Sequence, residues 1–377
     1  MLANGVVSDM NHGLEAVINV LLLLAGYIAL TRLLRQMLRE LGAEANAFAI
    51  MALAGFFYFS VDQSENLLWG WHTSLFACMA GLVWAIYLLS LPGLALSRLA
   101  LAALCTIIAV YGYATAWTLA PIGAGLILLS PGTSRTMKVG GLVLWTGLFA
   151  LLLVHYISVR TDYDLEMLGT GGKPASLWTL SEYVANFFGA AVFRISRPLA
   201  PLVAGLGFFS FILVSVLCVR HFRERIVALR GVAALMAFSL GAAVLTALGR
   251  AAVFGTDQAF SNRYTTFSNY AWLGLLCLAV LLVGQLRGRM KMLAIGAVAA
   301  LLMAKTVNLG AAVNNARLAM RVNTAACEIV RDGSAHAGEM RSLYSAEGQP
   351  VEERVAILKA QQASLFRPAF VRACAAN

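Results

Sequence analysis

Charged side chains are scarce in this chain, and the scarcity excludes most classes of soluble protein. Asp, Glu, Lys and Arg together make up 12% of the 377 residues, about half of their share in an ordinary soluble domain. Hydrophobic residues make up 60%. This composition excludes a soluble globule, a disordered chain, a coiled coil and a disulfide scaffold. It predicts an all-α, polytopic membrane protein.

Metal-binding patterns are also lacking. None of the six cysteines forms a CxxC pair, and the five histidines show no ligand spacing. We therefore expect neither a metal site nor a cofactor. The formal net charge of +10 follows from basic loops between apolar runs, so we expect no nucleic-acid partner.

Apolar runs long enough to span a bilayer recur along the chain. A helix needs about 20 apolar residues to cross roughly 30 Å of hydrocarbon. The fourth and fifth runs are short and nearly continuous, which favours two broken helices; such breaks are tolerated where the backbone is buried or lines a cavity. About ten transmembrane helices are predicted, at Leu14–Leu34, Ala47–Val61, Thr73–Leu91, Leu99–Tyr113, Ala114–Leu129, Val139–Ile157, Pro198–Val219, Val232–Gly249, Phe267–Gln285 and Met292–Leu309.

The charges divide the chain into a transmembrane domain, residues 1–310, and a small helical tail, residues 311–377. The tail carries 14 charges in 67 residues. One tail helix should continue from the last span toward Asp332 and stop at Gly333, and a second should begin at Pro350. Cys327 and Cys374 are the two tail cysteines, and we expect them to form a disulfide if the tail faces an oxidising compartment.

Basic residues predict the orientation. Five short loops, which follow the odd-numbered runs, hold 13 of the 28 Lys and Arg residues. Cytoplasmic loops are enriched in Lys and Arg. These five loops should therefore be cytoplasmic, with the N-terminus and the tail on the other side.

The polar residues that could carry chemistry lie in connections on the side opposite the basic loops. A carboxylate there can act as a base or accept a hydrogen bond from a sugar hydroxyl, and an indole can stack on a substrate ring. An aromatic belt at the membrane interface is the alternative interpretation. The first connection contains the candidate catalytic residues Asp62 and Glu65 and the candidate binding residues Asn66, Trp69, Trp71 and His72.

The second connection contains Arg250, Asp257, Arg263 and Tyr264. Arginines on this side run against the positive-inside trend, and a guanidinium group binds phosphate through two parallel hydrogen bonds. A phosphate near the outer membrane surface is therefore a natural partner. The alternatives are that the arginines pair with Asp257 or extend to lipid headgroups.

Two further features have structural interpretations. Apolar residues at helical spacing from Leu177 to Ala191 predict a helix that lies flat on the outer interface, with Trp178 and Tyr183 as anchors. Lys305 lies inside the last apolar run. Ionisable residues within spans usually face the bundle interior or a cavity, and we expect the same of this lysine.

The runs Glu65–Gly70 and Gly249–Phe267 resemble a widespread group of bacterial multi-pass proteins that look like the GT-C superfamily of membrane glycosyltransferases. The resemblance implies a GT-C-like bundle in the bacterial inner membrane, with the N-terminus and the tail in the periplasm. It implies that membrane lipids and a polyprenyl-phosphate sugar donor are partners, with transfer on the periplasmic face. Arg250 and Arg263 would bind the lipid phosphate, and the Asp62–His72 turn would face the acceptor or the sugar.

One feature departs from the superfamily pattern. GT-C enzymes carry essential acids in the loop after their first helix, whereas only Asp9, His12 and Glu15 precede the first apolar run here. We therefore expect either that the first helix and its acidic loop are missing from this chain or that the activity is lost.

Two other functions stay open: a transporter or flippase for a lipid-linked or small polar substrate, and an assembly subunit without chemistry. A transporter needs polar groups near the bilayer midplane, whereas an enzyme of this type needs them at one face. Polar groups crowd the outer face here, with Lys305 as the main exception.

Reporter fusions test the orientation. Fusions at Arg225 and at Gly348 should give opposite readouts, because the basic loops place Arg225 in the cytoplasm and the tail outside. A cytoplasmic signal at Gly348 would contradict the orientation and the site assignments that depend on it.

Overall fold

The structure is a computed structural model that describes residues 12–63, 66, 72–159, 175–192, 196 and 198–332, with side chains between 14 and 314. This part of the chain is helical and contains no strand, as predicted. Its α-helices are α1 (His12–Leu41), α2 (Ala47–Tyr58), α3 (Thr73–Ser90), α4 (Leu96–Gly112), α5 (Leu119–Leu128), α6 (Arg135–Val159), α7 (Leu177–Gly189), α8 (Ala200–His221), α9 (Arg230–Phe254), α10 (Asn262–Val283) and α11 (Gly288–Asp332).

Eight helices in the described ranges are long and apolar enough to cross a membrane, compared with about ten predicted spans. Two shorter apolar helices, Leu96–Gly112 and Ala114–Leu128, take the places of the fourth and fifth predicted runs. Tyr113 separates them with an extended backbone, φ −158° and ψ 136°. The prediction of two short, broken helices is therefore confirmed, and it accounts for the difference in number.

The bundle has two chemically different ends, because successive spans run in opposite directions. We call the end that carries the predicted cytoplasmic loops the basic end. The opposite end, which we call the site end, carries the 3₁₀ turns Val61–Gln63 and Thr256–Phe260 together with Tyr113 and α7. The candidate site residues that the structure describes all lie at the site end or on the helix turns beside it.

An ion pair between the buried Arg230 and the half-buried Glu40 holds the basic end together. Arg230 binds Glu40 through two bonds, from Nη1 to Oε2 at 2.9 Å and from Nη2 to Oε1 at 3.1 Å. The same guanidinium donates to the backbone carbonyls of Val227 and Ser90. Its donors therefore link α1, α3 and the start of α9, a geometry that Lys could not reproduce.

Helix α7 confirms the predicted helix after residue 176, but one of its two expected anchors is wrong. Trp178 is exposed, as an interfacial anchor should be, whereas Tyr183 is completely buried. Phe187, one turn after Tyr183, stacks on Tyr264 of α10, with ring centroids 5.7 Å apart. Because residues four apart share a helix face, this contact turns Tyr183 toward the protein rather than toward the membrane surface.

Helix α11 runs from Gly288 to Asp332 without interruption, so the expected continuation of the last span into the tail is confirmed. Residues 333–377, including the predicted second tail helix, lie outside the described residues, and so does the side chain of Cys327. The predicted Cys327–Cys374 disulfide and the boundary at residue 310 therefore stay predictions.

The closest approach between spans depends on a glycine. A Cβ at Gly81 of α3 would lie 2.4 Å from the carbonyl oxygen of Cys105 in α4. Gly112 of α4 is equally confined, since its Cβ would lie 2.5 Å from the carbonyl oxygen of Ser74. Small residues allow the backbones of membrane helices to approach in this way.

Replacing Gly81 with Ala should lower stability, because the obstructing atoms belong to the backbone and cannot rotate away. Overpacking of this kind typically costs about 1–3 kcal/mol. The matched control is Gly147→Ala on α6, where a Cβ would meet nothing within 4 Å. Thermal unfolding in detergent should show a lower midpoint for Gly81→Ala and an unchanged or higher midpoint for Gly147→Ala. Equal midpoints would contradict the packing described.

Candidate functional site

The centre of the site end is a buried ion pair between Lys305 of α11 and Asp62 of the Val61–Gln63 turn. Both side chains are fully shielded from solvent. The Lys305 ammonium also donates to Asn269 Oδ1 at 3.0 Å and to the Ala191 carbonyl at 2.7 Å. Because a lysine has three donors, these bonds account for all of them. The expectation that Lys305 faces the interior is confirmed.

Lys305 lies near the site end and not near the midplane of its span. It follows Gly288, the first residue of α11 at the basic end, by 17 positions, or about 26 Å along a helix. The hydrocarbon core of a bilayer is roughly 30 Å thick. The buried lysine therefore belongs to the same end as the other candidate residues, and it is not an exception to their arrangement.

A second hydrogen-bond chain joins the Asp62 turn to the start of α10. Asn66 Nδ2 donates to the Asn262 carbonyl at 3.2 Å and to Thr266 Oγ1 at 3.0 Å. Thr266 Oγ1 in turn donates to Gln63 Oε1 at 3.1 Å. Buried polar groups of this kind need partners, so the chain fixes the turn against α10.

The two oxygens of Asp62 differ in their surroundings. Oδ2 receives the bond from Lys305, whereas Oδ1 is buried and accepts no hydrogen bond from the described residues. An acceptor atom in this state is uncommon in a folded protein. The arrangement leaves one carboxylate oxygen oriented and chemically unengaged.

Arg250 and Arg263 both lie near Tyr113. Both guanidinium charges are close enough to act on the Tyr113 phenol, and that of Arg250 also acts on Tyr183. Arg263 lies over the ring of Tyr264 at 5.7 Å and donates from Nε to Ser261 Oγ at 3.0 Å. In the described part of the chain neither arginine forms an ion pair, so the alternative interpretation that they pair with Asp257 has no support among the described side chains.

His72 lies beside this cluster at the start of α3. Burial, and secondarily the positive charge of Arg263, lowers the pKa of His72 from 6.5 to about 4. Because the folded state then holds fewer protons than the unfolded state, this contribution to stability is present above pH 6.5 and is lost as the pH falls toward 4. The imidazole is therefore neutral at pH 7.

Of the remaining predicted site residues, one lies on the protein surface and three lie outside the described residues. Asp257 is exposed on the Thr256–Phe260 turn. Glu65, Trp69 and Trp71 lie outside the described residues, so their roles stay predictions. The described ranges contain no group of three or more His, Cys, Asp or Glu residues that could hold a metal ion.

The sequence did not single out Tyr113, Thr266 or Asn269 as site residues, and it assigned Tyr183 only an anchoring role at the outer interface. Tyr113 had a signal, because it stands at the break between two short apolar helices, and such breaks often line a cavity. Thr266 and Asn269 had none. Their bonds reach residues about 200 positions away, and no local pattern encodes such a distance.

Comparison of the chain with protein-family models, with curated proteins and with solved structures finds no match.

The Lys305–Asp62 pair generates a prediction about stability. Lys305→Met leaves a buried carboxylate without its counter-charge, which typically costs about 3–5 kcal/mol. The double variant Asp62→Leu/Lys305→Met removes both charges and should recover most of that loss, because buried pairs are often replaceable by apolar residues. Thermal unfolding in detergent measures both effects.

Lys291→Met is the control for Lys305→Met, since Lys291 is exposed on the same helix. It should leave the unfolding midpoint unchanged. If the double variant is as unstable as the single one, the two charges do not act as a pair.

Proposed function

We propose that this chain is a GT-C-like membrane glycosyltransferase, or an inactive relative of one, that binds a polyprenyl-phosphate sugar at the site end. The observation that carries the proposal is the pair Arg250 and Arg263, which flank one tyrosine without a carboxylate partner in the described chain. Two such guanidinium groups provide a site for an anionic ligand at the membrane surface.

Phosphate suits this cluster for electrostatic reasons. Arg250 and Arg263 are both partly buried, and a charge that is partly removed from water favours a counter-ion. The phenol hydroxyls of Tyr183 and Tyr264 are buried beside one another near this cluster. Hydroxyl donors of this kind can add bonds to phosphate or sugar oxygens.

In the proposed reaction, Asp62 or Glu65 would act as the base that activates the acceptor hydroxyl. Lys305 binds Oδ2 of Asp62 and so orients the carboxylate, which leaves Oδ1 as the atom that would accept a proton from an acceptor hydroxyl. Trp69 and Trp71 would stack on the sugar, and Asn66 and His72 would complete the lining. The donor phosphate would leave as the glycosidic bond forms.

A transporter or flippase and an assembly subunit are the competing proposals. Transport requires polar groups near the midplane, whereas the buried polar residues Asp62, Asn66, Asn269 and Lys305 gather toward the site end. Glu15 is also buried, near the start of α1 at the same end. This arrangement favours chemistry at one membrane face.

The proposed topology follows from the same division of the chain. Counting the two short helices with the eight long ones gives ten spans. With the basic end in the cytoplasm, the site end, the N-terminus and the tail face the periplasm of a bacterial inner membrane.

Arg250→Lys and Arg263→Lys test the phosphate site. Each variant keeps the charge but loses the two-point geometry, so binding of a polyprenyl phosphate should weaken by roughly tenfold, as expected for the loss of about 1.5 kcal/mol in a charge-assisted bond. Binding to purified protein in detergent is measured by quenching of tryptophan fluorescence or by calorimetry.

The matched control is Arg289→Lys, an exposed arginine at the basic end that belongs to no proposed lipid site, which should leave the affinity unchanged. Equal, small effects in all three variants would show that Arg250 and Arg263 are structural. Release of free polyprenyl phosphate from a radiolabelled sugar donor separates an enzyme from a transporter, because transport leaves the donor intact.

A further inference from the structure

An apolar groove of about 500 Å³ lies between α8 and α9, with α10 as its floor. It extends along α8 from Ala204 to Val219, and its lining is apolar except for Ser215 and Arg230. Helix α8 packs on α7 at the site end and on the Arg223–Leu229 turn at the basic end. The groove therefore runs between the α7 contact at the site end and the Arg223–Leu229 turn at the basic end.

The floor of the groove is rigid. Trp272 of α10 donates from its indole nitrogen to the Phe188 carbonyl at 2.9 Å. Its ring lies against α8 at Gly207, where a Cβ would come within 2.3 Å of it. The groove is thus a built feature of three helices and not a gap left by a loosely held side chain.

The dimensions of the groove select the kind of occupant. Ala204 and Val219 are 15 positions apart, which corresponds to about 22 Å of helix. A helix of that length and about 10 Å across fills on the order of 1,700 Å³, about three times the cavity volume of about 500 Å³. A transmembrane helix of a partner or of a second copy does not fit. A single hydrocarbon chain does.

Water does not suit the groove, because a buried water needs two to four polar partners. Arg230 directs Nη1 and Nη2 to Glu40 and to the carbonyls of Val227 and Ser90, so its Nε and the Ser215 hydroxyl are the polar groups left along a groove of otherwise apolar residues. Helix α8 is a candidate membrane span with few buried residues. The apolar ligand available beside it in a bilayer is the hydrocarbon tail of a lipid.

The charges at the basic end indicate the headgroup. Arg220 and Arg223 are exposed beside the last groove residue of α8, Val219, with Glu224 as the nearby acid. Arg225, also exposed, donates to the Leu41 carbonyl. The net charge of these residues at the basic end of the groove is positive. Basic clusters at a membrane surface attract anionic lipids.

We propose that the α8–α9 groove holds one acyl chain of an anionic phospholipid whose headgroup lies at the basic end, against Arg220 and Arg223. This site is at the opposite end of the bundle from the proposed sugar-phosphate site and does not depend on it. The lipid fills the space between α8 and α9 and supports α8, which otherwise exposes most of its surface.

Ala237→Phe tests the chain site, because Ala237 is an exposed groove residue of α9 whose enlargement fills the groove. Ala150→Phe on α6, an exposed alanine outside the groove, is the matched control. After extensive washing in lipid-free detergent, extracted phospholipid is quantified per protein by mass spectrometry. The wild type and Ala150→Phe should retain about one phospholipid per chain, and Ala237→Phe should lose it. Ser215→Phe, on the opposite wall, should give the same loss if Ala237→Phe does not fold.

The headgroup is tested by adding phosphatidylglycerol or phosphatidylcholine to the washed protein and following thermal unfolding. Phosphatidylglycerol should raise the midpoint more than phosphatidylcholine, and the double variant Arg220→Gln/Arg223→Gln should lose that difference. Equal shifts for both lipids in the wild type would overturn the anionic headgroup. Full lipid retention by Ala237→Phe and Ser215→Phe would overturn the groove as the site.

Discussion

The buried ion pair between Lys305 and Asp62 is the interaction on which the site end depends. Two opposite charges without solvent access are tolerated only together, so the last span, α11, must dock where the Val61–Gln63 turn presents its carboxylate. Lys305 also binds Asn269 and the Ala191 carbonyl. One ammonium group therefore joins α11 to α10 and to the segment after α7, and it orients the carboxylate that is our candidate base.

The buried or partly buried arginines at the two ends of the bundle differ in their surroundings. This difference separates an arginine that stabilises the fold from arginines that could bind a ligand. At the basic end the charge of Arg230 is paired with Glu40, and its guanidinium also binds two backbone carbonyls, so this charge serves packing. At the site end Arg250 and Arg263 are partly buried and form no ion pair in the described chain. A charge that is structurally satisfied binds no ligand, whereas a charge that still lacks a counter-ion can bind an anion. This contrast favours the site end for the proposed phosphate, whereas the proposed lipid headgroup at the basic end rests on other arginines, the exposed Arg220 and Arg223.

The peripheral and central helices differ in the fraction of their residues that is buried in the protein. The central spans α3 and α10 bury most of their residues, whereas α6, α8 and α11 face mainly outward. Helix α11 has few buried residues, and Lys305 and Asn308 are two of them. Polar contacts therefore hold this helix where apolar contacts provide little preference over lipid, since lipid tails are as apolar as the side chains they would replace.

Composition and hydropathy by themselves determined the membrane class, the helical fold, the broken pair of helices around Tyr113 and the inward orientation of Lys305. These properties follow from the cost of exposing charge or backbone to hydrocarbon, which acts locally on every residue. Only the tertiary structure decided that Lys305 meets Asp62, 243 positions earlier, that Tyr183 is buried and that two arginines flank Tyr113. Helical periodicity specifies which face of a helix turns inward, but it carries no information about which distant residue that face will meet.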